Sequence, residues 1–516
     1  MTDPKYDAIV IGSGAGGTAA AYRLVLGGLR VALLEKGGHL PLDGSTLDIH
    51  RVVHGGEFLS REAWLDGRGR ALLPEEHFNV GGKTKWYGAA LLRFGEHEFQ
   101  PDVAHGCSGW PIALGDLASY YSEAERLLGV RTFDYEPDLA RILARVAKPG
   151  SEWNARPMPM GLMPDIALDR AEASHFDGFA SARGMKGEAE QSMLSLLKNL
   201  SRFTLITNAE VAHLLGAPGS RRTINGVRLK DGRELRAPCV LLAAGALHSP
   251  RLLARYLSSS GLEAELPAAK HVGRHLKLHL LTAMVALSPS RKNDLIRKTA
   301  VLTNERFPHS SVQPLGFDGE LIGTLVPKLV PDFIRREVGR RAYGFFLQTE
   351  DGSESANRVH ESAATAGESA TAAGSSAAVA GASAGATTIP VLDYDETRTP
   401  RAVSEHKDFT RAFQRALGKA GLVSFTRRVG LNGTAHACGS LRCGQDASDS
   451  VVDAQGRVHG MSGVYVVDGS ILPRSSRVNP SLSIYAWGLR IGDLLSQQFL
   501  RDQLSPDTAR EVAHAN

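Results

Sequence analysis

The chain has 516 residues, 43% hydrophobic and 22% charged, and its 59 basic and 55 acidic residues leave a formal charge of only +4. This composition is ordinary for a soluble globular protein. No apolar run is long enough for a membrane span, and the scattered Lys and Arg lack the blocks that track nucleic-acid phosphates. The length suggests roughly two to four domains, and two intertwined ones are expected. Met1 to Lys5 carry no export signal, so a cytoplasmic location is expected. The four cysteines, Cys107, Cys239, Cys438 and Cys443, have no histidine at zinc-ligand spacing and read as reduced, packed thiols; no metal is expected.

Residues 6–11 (YDAIVI) read as a short apolar strand, GSGAGG follows with Gly12, Gly14 and Gly17, residues 18–26 show helical spacing, and residues 30–34 form a second strand ending in Glu35. The glycines differ in what they allow. Gly12 permits the tight turn, Gly14 lets a pyrophosphate approach the backbone, and Gly17 lets helix pack closely on strand. Glu35 suits a ribose diol and its charge disfavours a 2′-phosphate, which makes NADP the least suitable dinucleotide. The fingerprint alone leaves NAD and FAD open.

Four later segments decide between them. Residues 78–92 (FNVGGKTKWYGAALL) carry Gly81 and Gly82 in a polar and aromatic turn, and residues 239–253 (CVLLAAGALHSPRLL) run from a strand through Gly245 into a helix begun near Ser249 and Pro250. Residues 464–473 (VYVVDGSILP) read as a buried strand ending in Asp468 and Gly469. Asn479 and Pro480 open an amphipathic helix through Leu495, with Asn479 suited to an N-cap. His436 lies before that, in His-Ala-Cys-Gly-Ser.

On these motifs, which span residues 6–495, the chain resembles the glucose-methanol-choline (GMC) family of FAD oxidoreductases. The resemblance implies an α/β fold: a Rossmann-like FAD-binding domain (1–60, 190–285 and 440–516) interleaved with a substrate domain (61–189 and 286–439) built on an antiparallel sheet flanked by helices, as in p-hydroxybenzoate hydroxylase. It implies that Gly12, Gly14, Gly17 and Glu35 hold the ADP half of FAD and that Val211 meets the adenine. Gly81, Gly82 and Gly245 would then approach the cofactor, with Asp468 and Gly469 at its ribityl and phosphate end. His436 matches the family's catalytic histidine, with Ser440 in place of a threonine, and Asn479 matches its partner and is implied as a cofactor-binding residue as well. His279 matches a further family histidine, read here as packing or supporting. Glu350 and Asp351 match a family turn with no evident chemistry.

The chemistry agrees with that pair: hydride leaves a carbon more readily as its hydroxyl loses a proton, so a base with pKa near the working pH and a donor to the growing alkoxide are needed. Trp86 stands where some relatives attach FAD to a histidine, so noncovalent FAD is expected. No cysteine lies between Cys107 and Cys239, so no iron-sulfur cluster is expected, and O2 or a quinone is the expected acceptor. Within the family the chain is most similar to bacterial pyranose oxidases and glycoside 3-oxidases. That implies oxidation of a secondary hydroxyl of a sugar or glycoside, at C3, with C2 as the alternative. Other readings are a GMC glucose, polyol or alcohol dehydrogenase and a non-redox flavoprotein like a hydroxynitrile lyase. Residues 361–388, nearly all Ala, Ser, Gly and Thr, read as a disordered insertion, and residues 501–516 as a frayed end.

Overall fold

A computed structural model describes residues 5–324, 326, 329–363 and 388–504. At its centre is a five-stranded parallel sheet, ordered Val464–Val466, Cys239–Leu242, Ala8–Ile11, Val31–Leu34, Phe203–Ile206. The first four strands are apolar runs with almost every side chain buried, as a sheet covered on both faces requires. Helix Ala15–Leu26 crosses from the first strand to the second and packs on the C-terminal helix Ser481–Leu504. Glycine allows that approach: a Cβ on Gly488 would lie 2.4 Å from the Gly16 carbonyl oxygen.

The second layer is a six-stranded antiparallel sheet, ordered Val423–Arg428, Leu280–Leu287, Ala342–Thr349, Ser310–Pro314, Ala300–Asn304, Trp153–Pro157. Helix Pro400–Lys419 covers it, burying Phe409, Phe413 and Leu417 against Met284, Phe345 and Trp153. Strand Leu280–Leu287 belongs to this sheet, so the parallel layer ends earlier than the boundary at 285 expected from sequence. The α/β class with an interleaved antiparallel layer is as expected.

Two sequence expectations need correction. Glu361–Ala363 and Thr388 are not part of a disordered insertion: strand Arg358–Ala363 pairs antiparallel with Thr388–Asp393, and Glu361 accepts bonds from Arg251 and Arg255. Residues 364–387 lie outside the described residues. The terminal helix runs to Leu504, so 501–504 are helical rather than frayed, and 505–516 lie outside the described residues. All four cysteines are free thiols, and burial pushes the thiols of Cys438 and Cys443 up to about 12. No helix among the described residues is long and apolar enough to cross a membrane.

Candidate active site

A single elongated cavity of about 570 Å³ runs from the glycine turns of the parallel sheet to the antiparallel sheet. Of the residues singled out by sequence, Gly12, Gly14, Glu35, Gly82, Val211, Gly245, His436, Asp468, Gly469 and Asn479 line it. Gly17 and Gly81 stand behind its wall. A Cβ on Gly17 would meet the Gly12 carbonyl oxygen at 2.1 Å and Ala243 Cβ at 2.8 Å, while Gly81 takes φ +86° beside Glu188.

At the glycine end, Gly12 has φ +106°, a conformation that L side chains rarely adopt. A Cβ on Gly14 or Gly245 would meet no atom within 4 Å, so both open on the cavity. These bare backbones at the head of a helix fit the pyrophosphate of a dinucleotide. Ser13 joins the two glycine loops: its N–H and Oγ–H donate to Glu35 Oε2 at 3.1 and 2.6 Å, and its Oγ accepts from Gly81 N at 3.0 Å. Glu35 Oε1 accepts from Gly37 N, and burial pushes its carboxyl up against these bonds. Asp468 is saturated by protein donors, the N–H of Gly245 and Ser470 and the hydroxyls of Ser249 and Ser470, so it clamps the Gly245 turn.

At the other end, His436 is half-buried on a turn fixed by Cys438, whose backbone exchanges hydrogen bonds with Lys277. Its Nε2 lies 3.5 Å from Asn479 Nδ2, and Asn479 Oδ1 accepts from Gln313 Nε2 at 2.5 Å. Asn479 is therefore not the helix N-cap that its place in the sequence suggests. The helix starts at Ser481, and the amide is engaged by Gln313 and His436 instead. His436 Nδ1 is 2.8 Å from His279 Nδ1, and His279 Nε2 donates to the Ser476 carbonyl at 2.7 Å. Burial, then His279, Lys298 and Lys83, hold the His436 imidazole well below its usual range, so it is neutral. Leu281, Leu315, Phe346 and Val429 give this end apolar walls, and Lys298 pairs there with Asp177 at 2.8 Å.

The side wall carries charge. His77 stacks on Trp86 with ring centroids 4.5 Å apart, and Trp86 Nε1 donates to Asn79 Oδ1. Burial pushes Glu76 up, but Lys83 and His248 overcome it and hold the carboxyl down to about 2. Lys83 donates to Glu76 at 2.5 Å and to the Thr434 carbonyl at 3.0 Å. Glu75 is tied to the same turn through its backbone: its N–H donates to the Asn432 carbonyl and its carbonyl accepts from Thr434 Oγ1. Among the described residues its carboxylate has no hydrogen-bond or ion-pair partner, and Glu75 lines the cavity.

Sequence reasoning missed Gln313, Lys298, Glu75 and His248. Only His248 carried a signal, since it follows Gly245 in the same loop. Glu350, read as a turn residue without chemistry, is a buried hub. It accepts two bonds from Arg474 and one each from His309 and the Ser476 N–H, and these partners hold its carboxyl far below the carboxylate range despite burial.

The family models of the GMC oxidoreductases match this chain at residues 6–281 (N-terminal) and 350–488 (C-terminal). The chain is 28% identical to 6'''-hydroxyparomomycin C oxidase of Streptomyces lividus, covering 97% of this chain and 93% of that protein. Its identity with paromamine 6'-oxidase of Streptomyces fradiae is also 28%, with 96% and 93% covered. Among solved structures, pyridoxine 4-oxidase from Mesorbium loti shares the fold with a TM-score of 0.62 and 17% identity, covering 94% of this chain and 98% of that one.

Proposed function

The chain belongs to the GMC oxidoreductase family and is an FAD-dependent oxidoreductase of CH–OH donors; within that activity we propose that it oxidises a ring hydroxyl of a sugar or glycoside, at C3, with His436 as the base. The observation that carries this reading is the pairing of His436 Nε2 with the Asn479 amide, 3.5 Å apart on the cavity wall. A carbinol between them gives its hydroxyl proton to Nε2 while Asn479 Nδ2 donates to the oxygen on which charge grows. Bound FAD supplies the acceptor for the hydride that leaves the same carbon. Gln313 keeps the Asn479 amide turned so that its N–H faces the substrate. The apolar walls of Leu281, Leu315, Phe346 and Val429 exclude water from that oxygen.

For the cofactor, Gly12, Gly14, Gly17 and Glu35 take the ADP half and Val211 meets the adenine. Gly81, Gly82 and Gly245 give backbone access, and Asp468 and Gly469 stand at the ribityl end. FAD is held without a covalent link, since Trp86 occupies the attachment position, and the electrons pass to O2 or a quinone. A panel of sugars and glycosides, read by peroxide release and by dye reduction, with NMR of the product to place the new carbonyl, tests substrate, acceptor and position together. A carbonyl elsewhere than C3 refutes the position.

A second reading is favoured by Glu75. A carboxylate with no hydrogen-bond or ion-pair partner among the described residues, tethered to the turn before His436, suits an ammonium group, and the two Streptomyces relatives are named for aminoglycoside substrates. On this reading the substrate is an amino sugar. Glu75→Gln then raises KM for an amino sugar by roughly tenfold, the scale of a hydrogen bond to a charged group, and leaves KM for its N-acetyl form unchanged. Equal effects on both forms refute it.

A further inference from the structure

His279 lies beside His436 with the two rings nearly perpendicular, 83° between planes and 4.9 Å between centroids. Its two nitrogens face different partners. Nε2 is 2.7 Å from the Ser476 carbonyl oxygen, which only accepts, so Nε2 must carry hydrogen. Burial disfavours a charged His279, so in the neutral ring Nδ1 holds a lone pair. Across the 2.8 Å contact between the two Nδ1 atoms one must donate, and only His436 is left to do so. With hydrogen on its Nδ1, neutral His436 has its lone pair on Nε2, the nitrogen that faces Asn479 Nδ2.

The direction of this chain is set by one carbonyl, and that carbonyl is held firmly. Ser476 has φ +68°, a strained conformation for a residue with a side chain. It is maintained by two buried carboxylates: Ser476 N donates to Glu350 at 3.1 Å and Ser476 Oγ to Glu98 at 2.5 Å. Glu350 is itself fixed by Arg474 and His309.

We infer that His279 is a positioning residue that fixes the tautomer of His436, through the Ser476 carbonyl, so that an unprotonated Nε2 meets the substrate hydroxyl. The inference rests on the proposed role of His436 as base. In the other tautomer Nε2 would carry hydrogen and could not take the hydroxyl proton. Once Nε2 has taken it, His279 Nδ1 still accepts from the imidazolium, so the same contact serves both states of the base.

The test is nitrogen-15 NMR of histidine-labelled holoenzyme, with the His436 signals identified by their loss in His436→Ala. Wild-type His436 should appear as the Nδ1–H tautomer. In His279→Leu, which fills the space without an acceptor, that preference should be lost. In His279→Asn, which returns an acceptor near the position of Nδ1, it should be restored. Flavin bleaching by the best sugar of the panel should slow by roughly 10²-fold to 10⁴-fold in the Leu variant, the scale of a base in the wrong tautomer, with recovery in the Asn variant. FAD content and melting temperature should stay near wild type in the Asn variant. An Nε2–H tautomer in the wild type, or an unchanged Nδ1–H tautomer in both variants, overturns the inference. If His436→Ala bleaches as fast as wild type, the base reading fails while the tautomer result stands.

Discussion

Alanine at Gly14 and at Gly17 should have opposite consequences, although the two glycines are three residues apart in one turn. At Gly14 the backbone is extended, with φ −69° and ψ −169°, and an added Cβ meets nothing within 4 Å. The apoprotein should tolerate it, or gain about 0.4–1 kcal/mol by restricting the unfolded chain. The same methyl projects into the space that the pyrophosphate would fill. Overpacking by one methyl costs about 1–3 kcal/mol, so FAD should bind roughly tenfold to a hundredfold more weakly. At Gly17 the Cβ would stand 2.1 Å from the Gly12 carbonyl oxygen and 2.8 Å from Ala243 Cβ, so helix and strand must separate. That costs the upper part of the same range, about 3 kcal/mol, less about 1 kcal/mol from better helix propensity. Apoprotein stability should fall by about 2 kcal/mol on balance. The assay is thermal unfolding of apoprotein and holoprotein together with FAD titration followed by flavin fluorescence. A Gly14→Ala variant that binds FAD like wild type would refute the assignment of this turn to the pyrophosphate. An unchanged apoprotein melting temperature in Gly17→Ala would refute the packing argument.

Three further outcomes are expected. Glu350→Gln leaves Arg474 and His309 without their buried counterion and should cost about 3–5 kcal/mol at neutral pH. Because folding lowers the Glu350 pKa, its stabilisation is present above the ordinary carboxylate value of 4.5 and is lost as pH falls below it; because Glu350 also raises the His309 pKa, that share is present below the ordinary histidine value of 6.5 and is lost as pH rises above it, so chemical denaturation should show the gap between variant and wild type widest between pH 4.5 and 6.5 and narrowing on both sides; a gap that widens below pH 4.5 contradicts this. Acid precipitation should release all the yellow colour into the supernatant, and colour in the pellet would mean a covalent link. Asn479→Ala should retain FAD and slow flavin reduction by roughly 10²-fold to 10³-fold, the usual effect of removing one donor to a developing oxyanion; an unchanged rate would show that Asn479 does not donate to that oxygen.

The parallel layer is legible in the sequence because its constraints are local. Glycine spacing, apolar strands and the acid at the end of the second strand all sit within residues 6–35, and the positive φ of Gly12 and the crowded Cβ of Gly17 are what that spacing requires. His436 is legible for the same reason, as a residue in a framed turn. Asn479 reads wrongly as a cap because capping chemistry is inferred from neighbours in sequence, whereas its amide is taken by Gln313 from a strand 166 residues away. Gln313 and Lys298 give no signal at all, since Gln313 meets Asn479 and Lys298 lines the cavity only once segments distant in sequence are folded together. Glu350 and His279 are visible as motif residues, but what they do depends on Ser476, a residue whose unusual backbone no local pattern announces.

The most direct test is anaerobic mixing of the FAD-loaded protein with a sugar or glycoside that wild type oxidises, followed by the flavin absorbance in wild type and in His436→Ala. Bleaching in wild type, slowed by roughly 10²-fold to 10⁴-fold in the variant with FAD retained, is the predicted result for a base that takes the hydroxyl proton. Equal bleaching in both proteins, or none with any sugar or alcohol in wild type, would contradict it.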